Sequence, residues 1–186
     1  MNTTGVANRI RLLRCEDRSS IERILRQTQV FLEMEVQCAL ELLDIYFNYP
    51  EQKDYICAGV VDESDQPCGY VCYGPTPLTA GTYDLYWIAV DPQWHGRGFG
   101  SVLIEYVEQQ LGRSRKAVDN ANELLSRPAS AEAGRLLIIE TSSLPRYEAA
   151  RRLYQRHHYR EVARIPDFYA EGDDRVIYAK RLREKA

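Results

Sequence analysis

The sequence contains no apolar run that approaches the roughly 18–20 residues of a membrane-spanning helix. Its first residues, Met1–Asn8, also lack the charged and apolar regions of a signal peptide. We therefore expect a cytoplasmic protein without a membrane partner. The composition, with 45% hydrophobic and 27% charged residues, is ordinary for a soluble globular chain.

An excess of positive charge is also missing. The 24 Lys and Arg residues are outnumbered by 27 Asp and Glu residues, which gives a net charge of −3. Since proteins that bind nucleic acids usually carry a basic face, we expect no nucleic-acid partner. A length of 186 residues suits one domain with a substantial core, so we predict a single domain over 1–186.

Metal-ligand patterns are absent from the sequence. The five cysteines are scattered, and none forms the C-x-x-C pair of a zinc site. The histidines are poorly placed as well, because His95 is distant in sequence and a helix directs the adjacent His157 and His158 about 100° apart. We therefore predict reduced thiols and no metal ion.

Two common nucleotide-binding patterns are missing too. The Gly-Lys-Ser/Thr of a Walker A loop does not occur, and Ser101 stands where the dinucleotide fingerprint requires a glycine. The segment Gln93–Gly100 nevertheless has a glycine at every second position from 96 to 100. It follows the apolar run Leu85–Val90 and precedes the amphipathic stretch Ser101–Leu111.

A strand, a glycine-rich turn and a helix in this order can build an anion site. Glycine has no Cβ, so its backbone can approach a ligand closely and adopt a positive φ. The first N–H groups of the helix lack internal partners and lie at the positive end of its dipole. Gln93–Gly100 is therefore predicted to bind phosphate, with a turn that holds no ligand as the alternative.

The periodicity of apolar residues predicts elements in the order β-α-α-β-β-β-α-β-α-β-β. This order mixes hairpins with two crossover connections. We therefore predict an α/β fold (α+β in some schemes), with a mixed sheet of about seven strands flanked by about four helices. The polar stretch at about 113–134 is interpreted as an insertion, because it has little apolar periodicity.

Two motifs resemble those of the GNAT N-acetyltransferase superfamily. Gln93, Gly96 and Gly98 fill the pattern Gln/Arg-x-x-Gly-x-Gly/Ala of its acetyl-CoA pyrophosphate loop. The segment 147–159 is similar to the pattern N-x-x-A-x-x-L-Y-x-x-x-G-F. Together with the order of elements, the two motifs extend the resemblance over nearly the whole chain.

The second motif matches in part. Its Ala, Leu and Tyr positions are filled by Ala150, Leu153 and Tyr154. The other positions differ, because the family has Asn where this chain has Tyr147, and Gly and Phe where it has His158 and Tyr159. The loss of the Asn puts a ligand contact at position 147 in doubt.

The resemblance implies acetyl-CoA as a co-substrate. The amide groups around the glycine segment would bind its pyrophosphate, and the strand before that segment would lie beside the pantetheine arm. In the family this strand and 135–141 separate, and the thioester lies in the gap. Arg97 and Arg151 are candidates for the outer phosphates, and a solvated basic helix face is the alternative. The cofactor residues assigned in this way are Ile88, Ala89, Val90, Gln93, His95, Gly96, Arg97, Gly98, Phe99, Gly100, Thr141 and Arg151.

The resemblance also assigns catalytic roles. Relatives often use a tyrosine at the position of Tyr154 to protonate the departing CoA thiolate, and a tyrosine of pKa near 10 is protonated at neutral pH. An aromatic packing residue is the alternative. An amine of pKa ~10.4 must also lose a proton, which costs about 4.6 kcal/mol at pH 7. Asp84 is the predicted base; Glu140, or no side-chain base at all, is the alternative.

The acceptor is expected to be a primary amine: a small amine, an amino acid or a protein N-terminus. The segment Asp167–Asp174 is predicted to be a loop of the acceptor pocket, or else an acidic hairpin turn. It weakly resembles the subgroup that acetylates protein N-termini. The predicted acceptor-binding residues are Glu140, Phe168 and Tyr169.

The sequence thus predicts an N-acetyltransferase that transfers the acetyl group by direct attack. None of the cysteines lies in the motif segments, which disfavours a covalent thiol intermediate. The alternative is a non-catalytic acyl-CoA-binding regulatory module, which would not need Tyr154. A homodimer is left open.

Overall fold

The computed structural model describes residues 10–112 and 134–182. The seven strands of this part are β1 (Ile10–Leu12), β2 (Ile56–Val61), β3 (Pro67–Pro75), β4 (Thr82–Val90), β5 (Leu136–Ser142), β6 (Arg160–Ala170) and β7 (Asp173–Arg181). Its four α-helices are α1 (Arg18–Gln27), α2 (Glu33–Asn48), α3 (Phe99–Gly112) and α4 (Glu148–Arg156). The predicted fold class and order of elements are confirmed. The predicted insertion at about 113–134 lies outside the described residues, apart from Gly134.

The strands form one mixed sheet in the order β1-β2-β3-β4-β5-β7-β6. Neighbouring strands are antiparallel, except that β4 and β5 run parallel. The parallel pair requires a crossover connection, and α3 belongs to it. No helix in the described ranges is long and apolar enough to cross a membrane.

The helices cover the sheet on two faces. The helices α1 and α2 bury one cluster with the sheet, in which Ile21, Ile24 and Leu25 of α1 are almost fully buried. The helices α3 and α4 bury a second cluster around Leu103 and Tyr154. Burial of such side chains contributes roughly 1.5–3 kcal/mol each, and this fixes both helix layers on the sheet.

A β-bulge interrupts β4 beside the site. Cys72 of β3 pairs with Trp87, whereas the next residue, Tyr73, pairs with Leu85, so β4 holds one extra residue. The bulge reverses the alternation of side chains along the strand. Leu85 packs in the cluster of α3, and Trp87 packs against the cluster of α1 and α2.

The strands β4 and β5 pair over a short stretch only. Their register runs from Thr82 opposite Leu136 to Leu85 opposite Ile139, and pairing ends there. The remaining residues of β4 stay paired with β3 as far as Val90. The predicted separation of the two strands is thereby confirmed, and it opens a gap in the middle of the sheet.

The last hairpin is longer than predicted. Asp167–Asp174 was expected to be a loop, but most of it belongs to β6 and β7, which turn around at Gly172 with φ +78. The extent of the expected loop is therefore wrong, because Phe168 and Tyr169 favour extended backbone and Gly172 permits a tight turn; the alternative, an acidic hairpin turn, agrees with the structure.

Candidate active site

An open cavity of about 1540 Å³ lies where β4 and β5 separate. It is lined by the start of α2, β4, the glycine segment, the end of β5, α4 and the β6–β7 turn. The predicted site residues that line it are Asp84, Ile88, Ala89, Val90, His95, Gly96, Gly98, Phe99, Gly100, Glu140, Thr141, Tyr154 and Tyr169. Those that do not line it are Gln93, Arg97, Arg151 and Phe168.

Glycine is needed in this segment for two different structural reasons. Gly96 and Gly98 have φ of +73 and +82, and a Cβ added at either position would meet no atom within 4 Å. Their conformation requires glycine and leaves their backbone open to the cavity. Gly100 instead lets two helices approach, because a Cβ there would lie 3.0 Å from Leu153 of α4.

The first turn of α3 presents free amide groups to the cavity. Helical hydrogen bonding begins with the Val102 N–H, which donates to the Gly98 carbonyl at 3.0 Å. The N–H groups of Phe99, Gly100 and Ser101 therefore lack a helical acceptor. Together with the dipole of a 14-residue helix, they form a site suited to an anion.

An ion pair that sequence reasoning missed holds this segment in place. The buried Asp91 accepts hydrogen bonds from the Gln93 N–H at 3.0 Å and from Arg23 of α1 at 2.6 Å. Burial alone would raise the pKa of Asp91, but these two bonds lower it overall, so the carboxylate stays ionised. Arg23 thus links α1 to the turn that precedes the glycines.

Two of the predicted cofactor residues, His95 and Arg97, contact other residues of the chain. The His95 Nε2 lies 2.8 Å from the Val90 carbonyl, which ties the segment to the end of β4. The Arg97 guanidinium lies 4.8 Å from the centre of the Trp94 ring, and Trp94 stacks on Phe99. Arg97 therefore lies on an aromatic surface beside the cavity.

Tyr154 is buried at the inner end of the cavity. Its residue is 4% exposed, and its ring packs 5.8 Å from Tyr178 and 6.4 Å from Tyr159. No described residue forms a hydrogen bond with its hydroxyl, although the residue lines the cavity. Burial raises the pKa of Tyr154, so the hydroxyl keeps its proton at neutral pH.

Asp84 lies on β4 at the same gap and is half-buried. Thr76, which sequence reasoning missed, donates a hydrogen bond to its carboxylate at 2.6 Å. Burial raises the pKa of Asp84, the Thr76 bond partly offsets the rise, and the charge of Glu140 adds to it. A carboxylate with a raised pKa is better matched to accepting a proton near neutral pH.

Comparison with known proteins agrees with this geometry. A family model described as an acetyltransferase (GNAT) domain matches residues 53–161. A structure from Desulfovibrio desulfuricans, assigned to the GNAT family of acetyltransferases, is 32% identical with a TM-score of 0.75, and the match covers 94% of this chain and 98% of the other. The chain belongs to the GNAT family. It is an N-acetyltransferase.

More distant GNAT structures share the fold. The ribosomal-protein-S18-alanine N-acetyltransferase from Escherichia coli is 16% identical with a TM-score of 0.67, over 95% of each chain. An aminoglycoside 6'-N-acetyltransferase complexed with coenzyme A is 15% identical with a TM-score of 0.66, over 95% of this chain and 98% of that one. No curated protein matches the chain.

The structure places some of the predicted acceptor-binding residues of this GNAT enzyme at the cavity, but not all of them. Glu140 forms an ion pair with Arg175, whose guanidinium lies 4.7 Å from the centre of the Phe168 ring. Phe168 therefore faces an arginine and not the cavity. Tyr169, in contrast, lines the cavity, and burial raises its pKa.

Arg151 has a structural role inside the GNAT fold. Its Nη1 donates to the carbonyls of Ser142 at 2.6 Å and Leu144 at 2.9 Å. These bonds hold the turn between β5 and α4. Arg151 therefore fixes the helix that carries Tyr154, whereas the sequence predicted a contact with phosphate.

Sequence reasoning missed several residues in another part of the cavity. There Tyr147, where relatives have Asn, donates a hydrogen bond to Glu35 at 2.5 Å. Phe31 and Trp87 lie beside them and also line the cavity. The departure from the motif at Tyr147 was the one available signal, since Glu35 lies in no motif.

Proposed function

We propose that this GNAT enzyme transfers the acetyl group of acetyl-CoA directly to a primary amine. The observation that carries the proposal is one continuous cavity, which joins the glycine segment to Tyr154 and Asp84 through the gap between β4 and β5. An aminoglycoside and a ribosomal-protein alanine, the acceptors of two structural neighbours, both offer amines.

The glycine segment is proposed to bind the pyrophosphate of the cofactor. The free amides at the start of α3 would donate to it, and charge-assisted hydrogen bonds contribute roughly 1.5–3 kcal/mol each. Beyond Leu85, the edge of β4 that faces the gap is unpaired with β5. The backbone of Ile88–Val90 can therefore pair with the amides of the pantetheine arm, as an added strand would.

In the proposed reaction Asp84 takes a proton from the acceptor ammonium, directly or through water. The free amine attacks the thioester carbon, a C–N bond forms and the C–S bond breaks. Tyr154 donates its proton to the departing thiolate, which leaves as CoA thiol. The hydroxyl of Tyr154, which no described residue engages and which burial keeps protonated, is available as the acid, and the raised pKa of Asp84 supports its role as a base.

A cysteine does reach the cavity, but its chemistry supports direct transfer. Cys38 of α2 lines the acceptor side. Burial raises the pKa of the Cys38 thiol, and the charge of Glu41 adds to the rise. A nucleophilic cysteine needs the opposite shift, because the thiolate is the reactive form.

The proposal is tested by the release of CoA thiol from acetyl-CoA in the presence of amines, amino acids and N-terminal peptides. Release that depends on one acceptor class supports the proposal and identifies that class. Binding of CoA without release for any acceptor would contradict it and favour a regulatory module.

An Asp84→Asn variant is expected to lower kcat/KM at pH 7 by about 100-fold, since a positioned base contributes roughly 10²–10⁴-fold. The defect should shrink as pH rises toward the pKa of the amine, because the fraction of free amine then grows without a base. The pH profiles of wild type and variant, measured with one acceptor, check this. Parallel profiles would assign Asp84 no role as a base.

Stability provides the control for this variant. A carboxylate whose folded-state pKa is raised loses stability as pH rises through that pKa, so ionised Asp84 costs folding free energy at pH 7. Asparagine removes that cost and can still accept the Thr76 hydrogen bond. The melting temperature of Asp84→Asn at pH 7 is therefore expected to equal or exceed that of the wild type.

A further inference from the structure

Three aromatic side chains that line the cavity, Phe31, Trp87 and Tyr147, form an aromatic cage, and one of them contacts the carboxylate of Glu35. The Phe31 ring lies 5.3 Å from Trp87 and 6.3 Å from Tyr147, measured between ring centres. Tyr147 donates its hydroxyl hydrogen bond to Glu35, and all four residues line the cavity. Aromatic faces combined with a carboxylate are the surroundings that favour an ammonium group.

Glu35 has no cationic partner among the described residues. Its carboxylate accepts from the Tyr147 hydroxyl at 2.5 Å and from the Leu32 N–H at 2.6 Å. Two carboxylate oxygens offer about four acceptor sites, so capacity remains for a ligand. Glu140, in contrast, is already paired with Arg175.

Arg146 also lines the cavity and contacts the Tyr147 side chain beside this carboxylate. The Arg146 guanidinium lies 5.3 Å from the centre of the Tyr147 ring, and within the described ranges it forms no ion pair with Glu35. The cage therefore presents to the cavity a carboxylate that forms no ion pair within the described ranges.

We propose that Glu35 and its aromatic cage bind a second ammonium group of the acceptor, so that diamines are the preferred substrates. This inference rests on the proposed acetyl transfer to amines. Asp84 on β4 would serve the amine that loses its proton and reacts, while Glu35 on α2 holds the amine that stays charged. Glu35 acts as a specificity-determining residue, since it binds the acceptor away from the reacting atoms.

The wild-type enzyme provides the first test. The kcat/KM for 1,4-diaminobutane is expected to exceed that for butylamine at least about tenfold, as a charge-assisted contact would give. Equal values for the two amines would overturn the inference and leave the proposed function standing. If neither of these amines supported release of CoA thiol, and no other acceptor class did so, the result would instead count against the proposed function.

A Glu35→Gln variant provides the second test, because Gln keeps one oxygen for Tyr147 and loses the charge, although it also loses the bond from the Leu32 N–H. Its kcat/KM for 1,4-diaminobutane should fall at least about tenfold, while that for butylamine stays within about twofold. The matched control is Glu33→Gln, in the same helical turn, whose carboxylate is ion-paired with Arg26 outside the cavity. This control should change neither value.

Equal losses for both amines in Glu35→Gln would contradict a role in specificity, and so would no loss for either. Melting temperatures of the two variants establish whether they fold. Should Glu35→Gln fail to fold, the wild-type comparison of the two amines decides the inference by itself.

Discussion

A Tyr154→Phe variant is expected to lose about 100-fold in kcat and to keep its affinity for CoA, because a positioned proton donor contributes roughly 10²–10⁴-fold. The substitution removes a hydroxyl that no described residue engages, and it leaves the packing against Tyr178 in place. Single-turnover kinetics measure the chemical step, and titration with CoA measures the affinity. Because burial raises the pKa of Tyr154, the wild-type donor stays protonated throughout the neutral range.

The matched control is Tyr159→Phe. Tyr159 is also buried and packs 6.4 Å from Tyr154, but it does not line the cavity. Loss of its hydroxyl should leave kcat within about threefold of wild type. If Tyr154→Phe turned over at the wild-type rate across the pH range, the acid would have to be another group.

A Gly98→Asp variant is expected to weaken CoA binding by more than about 100-fold. A side chain at φ +82 costs roughly 1–2 kcal/mol, which favours relaxation of the segment away from its binding conformation. The new carboxylate also points a negative charge at the proposed pyrophosphate site. Together these effects reach about 3 kcal/mol, or more than two factors of ten, which isothermal titration with CoA measures.

Gly172→Asp is the control that distinguishes a specific loss of CoA binding in Gly98→Asp from a general loss of stability. Gly172 has φ +78, and a Cβ there also meets no atom within 4 Å, so the strain and the added charge are the same. It lies in the β6–β7 turn and does not line the cavity. Both variants should lose a similar amount in melting temperature, and only Gly98→Asp should lose CoA affinity. Unchanged affinity in Gly98→Asp would remove the glycine segment from the cofactor site.

Local sequence patterns predicted much of the fold. The apolar run Leu85–Val90 lies in β4, and the amphipathic stretch Ser101–Leu111 lies in α3. Such elements are readable because the period of apolar residues depends on near neighbours in the chain. The loop expected at Asp167–Asp174 was too long, because pairing with β7 extends β6 to Ala170.

The side-chain partners of the site were not readable in the same way. Glu35 and Tyr147 are separated by 112 positions, and Arg23 and Asp91 by 68. Arg151 shows the same limit, because the resemblance offered it as a candidate for phosphate binding, while the two carbonyls that it binds lie across a turn and were not predicted. Which groups meet depends on how the helices pack on the sheet, and no local pattern encodes that.

The sequence by itself determined the order of the elements, the family resemblance and the place of the glycine segment, since each rests on residues close together in the chain. Only the tertiary structure decided that β4 and β5 part after Leu85, that burial raises the pKa of Asp84 and Tyr154, and that Glu35 faces the cavity from an aromatic cage. The physical reason is that solvent exclusion and charge pairing arise from segments brought together by packing, and they exist only once the helices close on both faces of the sheet.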